Sequence, residues 1–114
     1  MPCTDPREVT CLADAFDLST TEIRQWELEL IWSATALRVV EVSHHARLAA
    51  KDDSVPISVL WRVIRNGVPR SKDIGLDVRR QIGINFEGKK GGRGWIRVKV
   101  TWSDGYTIAT VHAL

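Results

Sequence analysis

The chain has 114 residues, of which 44% are hydrophobic and 26% charged, with a formal net charge of +2. That length holds one hydrophobic core and not two well-stabilised ones, and the composition excludes a disordered polymer. The apolar runs are too short for a membrane span, and the opening MPCTDPREVT puts charge where a signal peptide needs an apolar stretch, so a single cytoplasmic domain over residues 1–114 is expected.

Cys3 and Cys11 lie eight residues apart with no Cys-x-x-Cys pair, which gives no metal-ligand pattern and reads as two free thiols. A first helix is expected over Asp5 to Phe16, with Val9, Leu12, Ala13 and Phe16 at helical spacing. Ser19, Thr20 and Thr21 offer caps for a second helix, on which Ile23, Trp26, Leu30 and Ser33 share one face. The β-branched run Leu37 to Val42 reads as a short strand, after which Ser43 caps a turn through His44, His45 and Leu48. A continuous helix from Thr21 to Ala50 is the competing reading. Pro56 then opens a clearer helix, with Ile57, Leu60, Trp61 and Ile64 on one face, closed by Asn66-Gly67. Trp26, Trp32 and Trp61 fit helix faces and are expected in the core. Val68 to Asp77 reads as a loop, and strands are expected over Val78 to Phe86, Trp95 to Trp102 and Tyr106 to His112.

Asp104-Gly105 between two alternating runs is a hairpin signal. A two-residue loop pairs Val100 with Ala109, Val98 with Val111 and Ile96 with Ala113, leaving Lys99 beside Thr110 and Arg97 beside His112 on the other face. A three-residue loop with a bulge places Ile96 opposite His112 instead. The first register is preferred because it separates polar from apolar side chains. The expected fold is α+β, with N-terminal helices packed on one face of a C-terminal antiparallel sheet of three to four strands.

Residues 62 to 99 carry eleven cations, Arg80 among them, against Asp73, Asp77 and Glu87. Such an excess suits a polyanion. On the polar face Arg97 and Lys99 are candidates to hold phosphate oxygens and His112 to exchange a proton. That combination points to metal-independent general acid/base cleavage of RNA. Lys89, Lys90 and Arg93 in the Gly-rich GKKGGRG loop are candidates for clamping phosphates, and Trp95 for base stacking. The bland readings stand beside these: solvated cations on an open strand face, a frayed terminal histidine and a plain hairpin loop.

From Ser43 onward, the order Ser-His-His45-Ala-Arg47, helix Pro56 to Gly67, and strands ending in Ala109-Thr110-Val111 resembles a small bacterial family. That family of unknown function opens with Ser-x-His-Ala and falls in the RelE/barnase-like (BECR) ribonuclease toxin superfamily; the helix, loop and terminal hairpin also look like the MqsR-type interferases. The resemblance implies a RelE/barnase-like core over residues 36–114 behind a helical extension over residues 1–35. It also implies RNA cleavage without a cofactor, an acidic antitoxin or immunity protein as partner, and room for self-association. It singles out His45 as catalytic and Arg47 and Thr110 as substrate contacts. Lys51-Asp52-Asp53 replaces the family's second arginine after the His-Ala helix. The alternative function is a non-catalytic nucleic-acid-binding or protein-interaction domain.

Overall fold

The computed structural model describes residues 12–75, 81–92, 94–102 and 105–114. Along these, α1 (Leu12–Ala15), α2 (Gln25–Ala36), β1 (Glu41–Val42), α3 (His44–Asp52) and α4 (Ile57–Asn66) precede β2 (Val68–Asp73), β3 (Gly83–Gly91), β4 (Gly94–Trp102) and β5 (Tyr106–Ala113). The fold is α+β as expected, but the sheet has five strands, in the order β1-β5-β4-β3-β2, with β1 parallel to β5 and the other pairs antiparallel. β2 forms where a loop was expected, and the two-residue β1 lies within the run Leu37 to Val42 expected as a short strand, joining the sheet beside β5.

The second helix starts at Gln25 and not at Thr21 because the hydroxyls before it fold back on themselves. Asp17 Oδ1 accepts from the Ser19 amide (3.0 Å) and hydroxyl (2.6 Å), and Thr20 Oγ1 accepts from the Glu22 amide (3.1 Å). Glu27 supplies the cap instead, accepting the Arg24 amide at 2.6 Å. Helix and strand are separate elements, so the continuous helix from Thr21 to Ala50 does not form. Beyond Ala36 the Arg38 amide donates to Thr35 O and the Val39 amide to Ala34 O, with Arg38 at φ 59°. This is the terminal turn in which glycine is usual, and an L-residue there costs about 1–2 kcal/mol. Helix α3 ends in the same way at Ser54, φ 56°.

The core lies between the helices and one face of the sheet. Ile84 and Phe86 of β3, Ile96, Val98 and Val100 of β4, and Tyr106, Ile108 and Val111 of β5 meet Leu28 and Ile31 of α2, Ala46 and Ala50 of α3, and Leu60, Val63 and Ile64 of α4. Phe16 packs edge-on against Tyr106 at 5.9 Å, which fixes the end of α1 on β5. Trp32 donates to Ile64 O at 2.9 Å and so ties α2 to α4. Trp26, expected in the core, is instead 40% exposed. Gly67 lets α4 meet the sheet, since a side chain there would strike Val63 O and Glu87 O.

Two charges are sealed in this interior. Lys72 of β2 and Glu27 of α2 have fully buried side chains, with Nζ 3.1 and 3.0 Å from the two carboxylate oxygens. Lys72 also donates to Asp17 O (3.0 Å), and Glu27 also accepts the Asp17 amide (2.9 Å), so every polar atom of the pair is occupied. Burial, and then the Glu27 charge, raise the Tyr106 phenol far above its usual range and keep it protonated.

Lys72→Ala leaves a buried, unpaired carboxylate and is expected to lower the unfolding free energy by about 3–5 kcal/mol in a urea titration. Adding Glu27→Gln to that variant should cost less than Glu27→Gln costs alone, the signature of a coupled pair.

Candidate functional site

The terminal hairpin contains both registers weighed from the sequence. Ile96↔Ala113, Arg97↔His112, Val98↔Val111 and Lys99↔Thr110 follow the two-residue reading, whereas Val100↔Ile108, Thr101↔Thr107 and Trp102↔Tyr106 belong to a three-residue loop. Ala109 is the extra residue between them, so Val100 pairs with Ile108 and not with Ala109. The bulge lets both Ile108 and Val111 face the core while His112 stays outside. Ser43 anchors it: its amide donates to Ile108 O (3.0 Å), its hydroxyl to Ala109 O (3.2 Å), and the same hydroxyl accepts the Ala46 amide as the N-cap of α3.

The solvent side of the sheet is therefore a grid. One row is Lys89–Trp95; the next is Glu87–Arg97–His112; the third is Asn85–Lys99–Thr110. Residues opposite one another in such ladders are about 5 Å apart, so Glu87 and His112 stand about 10 Å apart with Arg97 between them. Exposure falls along the grid. Trp95 is 42% exposed, as is the Arg97 side chain, whereas Lys99 is 7% and Thr101 4% exposed. The end at the β3–β4 turn is the open end.

The cations here are not free. Glu87 Oε2 accepts from Arg97 Nη2 (2.7 Å) and Nε (3.0 Å), and Oε1 accepts from Arg70 Nε (3.2 Å). Asp73 Oδ2 accepts from Lys99 Nζ (2.8 Å) and from Asn85 Nδ2 (3.2 Å), which also donates to Ser71 Oγ (3.1 Å). Thus the carboxylates few in number along this stretch lie against the very cations expected to hold phosphate. Arg97, with Arg70 behind it, holds the Glu87 carboxyl below its ordinary 4.5 despite the opposing effect of burial.

Of the expected site residues, Arg97, Lys99, Thr110, His112, Lys89 and Trp95 share this face. His45 and Arg47 do not join them. Both are exposed on α3, which turns Ala46 and Ala50 to the core, and among the described residues neither makes a side-chain hydrogen bond or ion pair. Lys90 is half-buried in the β3–β4 hairpin, while Arg80 and Arg93 lie outside the described residues. Glu87 and Arg70 were not singled out as site residues from the sequence. Pairing across the GKKGGRG turn is the signal that places Glu87 opposite Arg97. No group of three or more metal-ligating side chains occurs among the described residues, and no helix among them is long and apolar enough to cross a membrane.

A carboxylate whose folded pKa is lowered stabilises the fold above its unfolded value and loses that contribution as pH falls through the folded one. In a carbon-13 NMR titration the Glu87 carboxyl is expected to titrate below 4.5 and to move upward in Arg97→Gln, whose stability should begin to fall at higher pH than that of wild type. A titration of Glu87 unchanged by Arg97→Gln would contradict this pairing. No protein-family model matches the chain, nor does any curated protein or solved structure.

Proposed function

We propose that the chain is an endoribonuclease of the RelE/barnase-like kind, cleaving RNA on the solvent face of its sheet without a metal. The observation that carries this reading is the row Glu87–Arg97–His112, a carboxylate, a guanidinium and an imidazole on three adjacent strands. Glu87 takes the ribose 2′-hydroxyl proton, and the 2′-oxygen forms its bond to phosphorus. As the bond from phosphorus to the 5′-oxygen breaks, His112 in its protonated form gives that oxygen its proton. The products are a 2′,3′-cyclic phosphate and a 5′-hydroxyl end. Arg97 stabilises the charge that builds on the phosphoryl oxygens, for which it exchanges part of its bond to Glu87. That exchange also frees the carboxylate to act as a base. Trp95, one row away and exposed, offers a face for the neighbouring base, and Lys89 beside it a phosphate contact. Lys99 and Thr110 border the row on the inner side, where Lys99 is held by Asp73. This assignment gives the base role to Glu87 in place of His45.

One observation favours a second reading, a domain that binds nucleic acid without turnover: Glu87 is already held by Arg97 and Arg70, which works against its taking a proton as a base.

With chelator present, wild type is expected to cleave single-stranded RNA, and Glu87→Gln and His112→Ala to lose about 10²- to 10⁴-fold in rate while remaining folded by circular dichroism. His45→Ala should retain activity. A 2′-O-methyl RNA should resist cleavage. Salt-sensitive binding without cleavage of any RNA would sink the catalytic proposal and support the second reading.

A further inference from the structure

A cavity of about 420 Å³ opens on the helical side of the molecule, lined by Thr35, Arg38, Val40, Trp61 and Arg65. It is remote in the fold from the polar grid, since α4 packs its apolar side on β3 and presents Arg62 and Arg65 to solvent. Its two guanidinium groups have no carboxylate within ion-pair distance among the described residues. This is the reverse of the sheet face, where Arg70, Arg97 and Lys99 are each neutralised.

Arg38 is the informative residue. It occupies the left-handed position that closes α2, where glycine carries no steric penalty, and its side chain makes no hydrogen bond or ion pair to a described residue in return. The turn is closed by backbone alone, as the same turn is at Ser54, so the guanidinium at this position is left available to a ligand. The walls say which kind. Two arginines offer forked donors to a phosphate, Thr35 adds a hydroxyl, and the half-buried Trp61 ring supplies a flat apolar surface.

We propose that this cavity is a second nucleic-acid subsite, binding a backbone phosphate of a single strand between Arg38 and Arg65 with a base against Trp61. The cationic edge continues from it. Arg62, one turn earlier on α4, donates to Lys89 O at 3.0 Å, and Lys89 stands one row from Arg97. A strand seated in the cavity is thereby led past α4 toward the β3–β4 turn end of the sheet. The subsite does not depend on catalysis.

The test uses the full chain and a fluorescently labelled oligothymidylate, which lacks the 2′-hydroxyl and so reports binding whatever becomes of the ribonuclease reading. Arg38→Gly and Arg65→Gln are each expected to weaken binding about tenfold and to lower the slope of log affinity against log salt by about 0.7, one phosphate contact. The loss should persist in an Arg97→Gln background, which separates the cavity from the sheet face. Because glycine suits the backbone at position 38, Arg38→Gly should melt no lower than wild type. Unchanged affinity in both variants, a Tm drop of more than about 4 °C in Arg38→Gly, or equally tight binding of poly-L-glutamate would overturn the proposal. The last outcome would point to an acidic protein partner.

Discussion

An ammonium and a carboxylate shut away from water hold the two halves of this chain together. Lys72 belongs to the outermost antiparallel strand and Glu27 to a helix 45 residues earlier. Each would be prohibitively costly to bury alone, so neither β2 nor the start of α2 can settle until the other is in place. Glu27 closes the amides of Asp17 and Arg24, and Lys72 closes the Asp17 carbonyl, so the same contact organises the turn between α1 and α2. With β2 pinned by its inward lysine, its alternate residues Ser71 and Asp73 must face outward, where they meet Asn85 and Lys99.

The polar face inherits its character from that placement. A sheet surface bearing only Arg, Lys and His would repel itself and wait for an anion. Here Asp73 and Glu87 supply the counter-charge, and an incoming phosphate has to compete with them. On the proposed ribonuclease reading, specificity for a phosphate ester over a simple counter-ion depends on what Arg97 gains by leaving Glu87, a gain largest with the base and the acid on either side. The cationic side chains along α4 have no such competitors among the described residues, which on the proposed reading suits them to first capture and the sheet to the later chemistry.

Much of the architecture was legible in the sequence because hydrophobic alternation and helical spacing act locally. α4 stands out through Ile57, Leu60, Trp61 and Ile64, and β4 through the alternation of Ile96, Val98 and Val100 with Arg97 and Lys99. β2 was not, since Val68-Pro-Arg-Ser-Lys-Asp shows a charged residue where a core residue is needed, and only the distant Glu27 makes that tolerable. The hairpin was half legible: the polar partners Arg97–His112 and Lys99–Thr110 follow from the preferred register, but the bulge at Ala109 depends on Ser43, far away in sequence. For the candidate site, the cations could be named from composition. Glu87 was counted only as an opposing charge, because its role depends on which strand residue lies across from it.

That bulge makes the length of β5 part of its meaning. Before Ala109 the odd-numbered positions look outward; after it the even-numbered ones do. Were the strand to run straight past Ala109 without the bulge, strict alternation would carry the imidazole of His112 into the interior and Val111 into solvent, an exchange no side-chain substitution could repair. Ser43 thus acts as the punctuation mark of a reading frame, holding in place a shift of phase on which the outer half of the strand depends.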